Sequence, residues 1–240
     1  YGWRQSVPYH RVGVVFMPSI AKTIKGILFG KGMRKAKFFG GPMKGMVAYF
    51  DFVRDTQTWR GIYEVAQMDW LIKAIKPGSV CVDIGAAEGY FTLLMAREAG
   101  TTGHIIAFEP SDRREYMQQA YDLNFATGLS RLTIVTEFAI GPNTVDFPGI
   151  TFDDYAAKAG LSRVDVVKID VDGGEMDVLE GMRGTLERFH PHISVELHSP
   201  ELHARVATFL AGLGYKMTLV DPPAYEYRPI PFNKFFFSEI

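Results

Sequence analysis

Residues 80–92, read as VCVDIGAAEGYFT, constrain the fold of this chain more than any other stretch. Apolar residues run into Asp83 and Gly85, Gly89 follows four positions later, and Leu93-Leu94-Met95-Ala96 then reads as a helix. This order is a strand, a tight loop and a helix N-terminus. Glycines there give a ligand close access to bare backbone, and the first helical turn presents unpaired N–H groups. A sheet must be built around this unit, and a small molecule is expected at the end of its strand.

The flanking sequence supplies that sheet. Ile62, Val65, Ala66, Leu71, Ile72 and Ile75 repeat at helical spacing, which predicts a helix over 61–75 ended by Lys76-Pro77-Gly78. Strands are predicted at Val80–Ile84, His104–Phe108, 132–138 and 193–197, with helices at 88–98, 112–127 and 175–189. Residues 164–171 form a near-continuous β-branched run, the mark of a strand buried on both faces. Ser199 as N-cap and Pro200 at the first position open another helix, which Gly214 stops. Late strands are predicted at 215–220 and 233–240. Strands alternating with helices mean an α/β fold, a doubly wound, mostly parallel sheet of seven strands.

The first fifty residues differ in kind. They hold nine Lys and Arg and no acid, whereas the remainder holds 17 bases and 27 acids, so +9 and −10 sum to −1. Apart from a short strand at 12–16 and a short helix at 19–28, they show no sustained periodicity. The predicted organisation is a basic N-terminal arm or cap over 1–50 and one α/β domain over 51–240. Such an arm suits nucleic acid, anionic lipid, a phosphorylated substrate or an acidic partner; the plain alternative is a solvated extension on its own acidic domain. Cys81 is the only cysteine, which excludes disulfides and thiolate zinc sites within the chain and fits a reducing, cytoplasmic setting. No apolar run is long enough to span a bilayer.

In open α/β sheets ligands bind beyond the carboxyl ends of the strands, near the switch point. Glu109 ends the second strand, close to the roughly twenty residues from the glycine loop expected of an acid that binds a ribose diol. NAD and S-adenosylmethionine both carry such a ribose. The loop order Asp83-x-Gly85-x-x-x-Gly89 separates them, because a carboxylate ahead of the glycine would repel a pyrophosphate. It suits a cationic end instead, such as the ammonium of a methionine moiety, met directly or through water. S-adenosylmethionine is therefore the expected cofactor.

These residues, with others along the chain, resemble the FkbM family of S-adenosylmethionine-dependent methyltransferases over roughly 48–240. The marks are Gly61-Ile62-Tyr63-Glu64, Pro77-Gly78, the Val82–Ala86 loop, Phe108-Glu109-Pro110 and Thr151-Phe152-Asp153-Asp154-Tyr155. The most characteristic is Lys168-Ile169-Asp170-Val171-Asp172-Gly173-Gly174-Glu175, with Val195-Glu196-Leu197-His198 closing the set. The family usually has Glu at the place of Asp172 and a small residue, often Ala, at that of Gly174. The resemblance implies a Rossmann-like class I methyltransferase that acts on hydroxyls of natural products and sugars. The expected cofactor contacts are Glu64, Asp83, Gly85, Ala86, Gly89, Tyr90, Phe91, Glu109, Pro110, Ala139 and Asp170.

Methyl transfer from a sulfonium is an in-line displacement, so the protein aligns the acceptor oxygen and removes its proton. Asp170, Glu196 and His198 end the fourth and fifth predicted strands and are the expected catalytic residues, with His198 as base. A second mechanism places Mg²⁺ on Asp170, Glu196 and His198, with Asp172 or Glu175 as further oxygen donors, an arrangement similar to macrocin-type O-methyltransferases. Plainer roles compete: Glu175 as compensation of a helix dipole, Asp172 as a helix cap, His198 as a turn residue. Trp59, Tyr63 and Glu64 are expected to close over the cofactor, and Tyr225–Arg228 to line the acceptor pocket. The expected acceptor is a small molecule or glycan, with a homo-oligomer compatible. Alternatives are a nucleic-acid methyltransferase using the basic arm, or an inactive cofactor-binding protein; the loop disfavours a dehydrogenase.

Overall fold

The structure is a computed structural model, and it describes residues 30, 32–144, 148–220 and 234–239. The strand and helix predicted within 12–28, and the loop holding Tyr225–Arg228, lie outside the described residues. Two short strands, β1 (Arg34–Lys37) and β2 (Val47–Phe50), form an antiparallel hairpin. Helices α1 (Thr56–Arg60) and α2 (Val65–Ala74) lead to β3 (Val80–Ile84). Then follow α3 (Tyr90–Ala99), β4 (His104–Phe108), α4 (Arg113–Asn124) and β5 (Arg131–Val135). The pair β6 (Phe138–Ala139) and β7 (Gly149–Ile150) precedes α5 (Phe152–Lys158) and β8 (Val166–Ile169). The chain continues through α6 (Glu175–Gly181), α7 (Arg183–Phe189), β9 (His192–Leu197) and α8 (Pro200–Gly212) to β10 (Met217–Val220) and β11 (Lys234–Ser238).

Seven strands form one sheet in the order β10-β11-β9-β8-β3-β4-β5. Pairings from β9 to β5 are parallel, and β11 runs antiparallel to both neighbours. The order reverses between β3 and β8, so the crevice at their carboxyl ends is the place this topology reserves for a ligand.

Side-chain alternation splits the core into two layers. Cys81, Ile105 and Val166 face a layer with Leu71, Leu94, Phe38 and Phe50, whereas Val82, Ile106 and Val167 face one with Leu179, Leu186 and Val206. Each fully buried Leu, Ile, Val or Phe contributes about 1.5–3 kcal/mol relative to exposure. The hairpin is part of the first layer, since Phe38, Met43, Ala48 and Phe50 are buried in it. Among the described residues no helix is long and apolar enough to cross a membrane.

Several predicted elements are shorter or divided. The helix predicted over 61–75 begins only at Val65, because Gly61 is the left-handed cap of α1 (φ 69°) and Glu64 also has positive φ (47°). The helix predicted over 175–189 breaks at Met182, where Gly181 comes so close to the Ile140 carbonyl that a Cβ would lie 2.1 Å from it. The third strand stops at Val135 rather than 138, and Phe138 pairs instead with Gly149. Residues 125–127 are a 3-10 turn beyond α4. Ser199 does cap α8, its Oγ accepting from the Leu202 N–H at 3.1 Å, with Pro200 at the first position.

A second glycine contact ties the hairpin to the crevice. A Cβ on Gly61 would lie 2.4 Å from the Gly40 carbonyl oxygen, and one on Gly41 would lie 2.7 Å from that of Gly61. The hairpin turn and the segment carrying Tyr63 and Glu64 therefore touch backbone to backbone. Gly61→Ala is expected to cost about 1–3 kcal/mol through its left-handed φ. Hydrogen exchange should show lost protection at residues 38–46 before the sheet is affected.

Candidate active site

The carboxyl ends of β3, β4, β8 and β9 converge on the crevice. Gly85 has φ 82°, and a Cβ there would lie 1.8 Å from the carbonyl oxygen of Asp170. Only glycine lets the β3 loop pass this close to the end of β8. Gly89 (φ 86°) has the same role against α4, where a Cβ would lie 2.5 Å from Met117. The loop between them, including Ala87 at φ 52°, is fastened by Glu109. Oε2 of Glu109 accepts from the Ala87 N–H at 2.8 Å, and Oε1 accepts from the N–H and hydroxyl of Ser111 at 2.9 and 2.5 Å. Glu109 is thus held at the loop, with a lone pair remaining on Oε2.

Asp83 has a different environment from the one its sequence position suggests. It is fully buried, with Oδ2 accepting from the Thr92 hydroxyl at 2.6 Å and Oδ1 from the Lys168 ammonium at 3.2 Å. The cation that faces Asp83 in the structure is a lysine of the protein, whereas its sequence position suggested a ligand ammonium met directly or through water. Parallel pairing puts Asp83 and Lys168 side by side, and Ser194 is next in register on β9. Gln67 of α2 donates to the Ser194 hydroxyl at 2.9 Å. A polar row thus crosses the inner face of the sheet from Thr92 to Gln67.

Lys168 is the centre of that row. Its Nζ lies 3.7 Å from Asp170 Oδ2 and 5.3 Å from the centroid of the Phe91 ring. Burial works against its charge, but Asp83, Asp170, Glu64 and Glu196 outweigh burial and raise its pKa above the ordinary lysine value. Phe91 is itself buried at the start of α3, under the ammonium. Tyr63 is held protonated, first by burial and then by Glu64 and Glu196.

His198 lies just beyond β9. Its Nδ1 is 2.7 Å from Oε1 of Glu175, a side chain at the start of α6 that is entirely buried. Its Nε2 faces Asp170, Asp172 and Glu196 at 3.7, 3.8 and 3.9 Å. Burial disfavours the imidazolium, yet the Glu175 hydrogen bond and the surrounding carboxylates prevail and raise the pKa. Glu175 therefore orients an imidazole and is more than dipole compensation. Asp172 has an exposed side chain in the left-handed region (φ 55°) and makes no cap to α6, whose N-cap is Gly174. One donor atom each from Asp170, Glu196 and His198 lies within 4.8 Å of the others.

The remaining expected residues surround this crevice or stand outside it. Ala86 is buried, and its N–H donates to the Phe108 carbonyl at 3.1 Å. The Tyr90 hydroxyl is 3.5 Å from the Tyr63 carbonyl oxygen, and Glu64 is buried at the start of α2. The Pro110 carbonyl accepts from Arg114 at 2.7 Å. Ala139 lies in β6, paired with Ile150, apart from the Lys168 row. Two residues of the site carry no role in the sequence analysis, Lys168 and Thr92, and Glu175 enters there as an oxygen donor or a dipole compensator rather than as the partner of His198. A lysine inside the apolar run Val166-Val167-Lys168-Ile169 was the available signal, since a buried ammonium needs a carboxylate partner.

The crevice gathers six carboxylates, Glu64, Asp83, Asp170, Asp172, Glu175 and Glu196, around one ammonium and one imidazole. Such a site favours a cationic ligand over a pyrophosphate. Comparison with known proteins agrees. The model of the methyltransferase FkbM domain matches residues 127–217. Methyltransferase FkbM from Methylobacillus flagellatus KT is similar in structure, with TM-score 0.53 and 16% identity over 76% of this chain and 55% of that one. An rRNA methylase from Streptococcus thermophilus aligns with TM-score 0.51 and 14% identity over 72% of this chain and 93% of that one. A Streptococcus mutans protein in complex with SAH aligns with TM-score 0.50 and 11% identity over 73% and 97%. A search of curated proteins finds no match. The chain is an S-adenosylmethionine-dependent methyltransferase of Rossmann-like fold, and its residues 127–217 match the FkbM methyltransferase domain.

Proposed function

We propose that the enzyme methylates a hydroxyl of a small molecule or glycan, with His198 Nε2 taking the acceptor proton. The observation that carries this reading is the His198–Glu175 pair, set beside Asp170 and Glu196 where β8 and β9 end. The acceptor oxygen attacks the methyl carbon, the carbon–sulfur bond breaks, and the sulfur keeps the electron pair. With its proton on Nδ1 and shared with Glu175, the imidazole presents a free Nε2 toward the carboxylates and the acceptor. The acidic collar stabilises the imidazolium that forms and attracts the sulfonium beforehand.

Cofactor recognition follows from the loop. Glu109 uses the remaining lone pair of Oε2 for a ribose hydroxyl, and Gly85, Ala86 and Gly89 shape the loop on which the ligand rests. Glu64, Tyr90, Pro110, Ala139 and Asp170 complete the proposed lining, whereas Asp83 and Phe91 act through Lys168. Glu109→Ala is expected to weaken S-adenosylhomocysteine binding by about ten- to a hundredfold, the value of hydrogen bonds to a charged group. Calorimetry on the folded variant checks this.

Asp170, Glu196 and His198 also fit a hard divalent ion, with two oxygen donors and one nitrogen. Mg²⁺ bound there would lower the pKa of the acceptor hydroxyl. The His198–Glu175 pair supplies a base without it, so transfer is expected to persist in EDTA. Loss of transfer that Mg²⁺ restores would assign the cluster to the ion instead.

A further inference from the structure

The hairpin carries a face that the crevice does not use. Ala36 and Phe38 turn into the core, so Lys35, Lys37 and Phe39 lie in line on the outward side. Phe39 is 65% exposed and rests on Trp59, the ring centroids 5.2 Å apart. Trp59 is fixed in turn, its Nε1 donating to the Lys37 carbonyl at 3.0 Å. At the adjoining end of α4, Leu123 and Phe125 are 46% and 59% exposed. They flank Asn124, whose side chain bonds the backbone of Val47, the cross-strand partner of Lys37.

Among the described residues, Phe39, Leu123 and Phe125 are the exposed large hydrophobic side chains, and all three belong to the hairpin or to the helix end bonded to it. Arg34, Lys35, Lys37 and Lys44 are exposed, and no ion pair among the described residues reaches them. Asp122, the acid beside Leu123, accepts from Gln118 at 2.8 Å. The first fifty residues, to which the hairpin belongs, hold nine Lys and Arg and no acid.

We propose that this face docks on an anionic phospholipid bilayer. Cations mixed with exposed aliphatic and aromatic side chains match the boundary between headgroups and acyl chains, where lysines stay at the phosphates and apolar groups sink below them. Single-stranded nucleic acid is held by cations together with aromatic rings on which bases stack. Here the exposed rings of Phe39 and Phe125 pack on Trp59 and Tyr121, at 5.2 and 5.7 Å between centroids, and Leu123 adds an aliphatic side chain that serves a bilayer and not stacking. The remaining 190 residues carry the −10, so a negative membrane surface would attract the basic segment and repel the acidic body.

The test is co-sedimentation of the full chain with vesicles of phosphatidylcholine alone, and of phosphatidylcholine mixed with phosphatidylglycerol. Binding to the mixed vesicles only, released by high salt, is the expected result. Lys35→Glu/Lys37→Glu should reduce the bound fraction at least about tenfold, given the contribution of each cation near an anionic surface. Phe39→Ser/Phe125→Ser should reduce it even at low salt, with unchanged melting temperature and S-adenosylhomocysteine binding in both variants. Absence of vesicle binding, equal binding to neutral vesicles, or binding of single-stranded RNA without any to vesicles would overturn the proposal. The wild-type arms alone decide this if a variant fails to fold.

Discussion

Lys168→Ala is expected to destabilise the fold by about 3–5 kcal/mol, the usual result of removing one partner of a buried ion pair. In a domain of this size each kcal/mol moves the melting temperature by roughly 2–4 °C, so a fall on the order of 10 °C should be seen. The cause is the Asp83 carboxylate, which has no exposure and would retain only the Thr92 hydroxyl. Asp170 is better placed to turn toward water, since its side chain is 27% exposed. Asp83→Asn added to Lys168→Ala should recover part of the loss, because it neutralises the stranded charge. The folded pKa of Lys168 is raised, so its contribution is complete below the ordinary lysine value near 10.4 and is lost only as pH rises beyond it. Stability of the Lys168→Ala variant within about 1 kcal/mol of the parent would show that the pair is dispensable.

His198→Ala should lower kcat by about 10²–10⁴-fold, the range for loss of a general base, while S-adenosylhomocysteine binds as before. A base must first lose its proton, so the rate rises with pH through an acid limb. The carboxylates around His198 place that limb above the ordinary histidine value near 6.5. Glu175→Gln removes the strongest of these partners and should move the limb to lower pH. Glu175 is thus a positioning residue whose loss changes the pH profile, which a merely structural role would not do. The same raised pKa has a stability consequence: the imidazolium stabilises the fold fully below about pH 6.5, and the gain fades as pH rises through the folded value. Full activity in His198→Ala would remove it as the base.

Much of this architecture could be read from the chain because the signals were local. Val80–Ile84 and His104–Phe108 are short apolar runs bounded by glycine or proline, and both strands are found with those bounds. The Ser199-Pro200 start of α8 is equally local. Breaks set by tertiary contact were not legible. Leu179, Met182 and Leu186 keep a helical repeat, and all three are buried, so nothing in the sequence marks the interruption at Met182. The Gly181 approach to Ile140 that accompanies it joins residues far apart in the chain. The hairpin was hidden because β1, Arg-Lys-Ala-Lys, alternates only through Ala36 and the following Phe38.

The site shows the same division. Gly85, Gly89, Asp170 and His198 stood at strand ends that the pattern could place. The partners of Asp83 and His198 could not be found that way, because they come from register and packing. Asp83 meets Lys168 through parallel pairing across 85 positions, and His198 meets Glu175 through the turn between β8 and α6. A carboxylate read alone leaves open whether its cation is a ligand or a neighbouring lysine.

Methyl transfer to a hydroxyl can be followed with methyl-labelled S-adenosylmethionine. The enzyme is incubated with a panel of hydroxylated metabolites and oligosaccharides, and separately with ribosomal RNA. Label is expected in a methyl ether of a small molecule or sugar, and none is expected with His198→Ala. Label confined to RNA, or to a nitrogen or carbon of any acceptor, would contradict this.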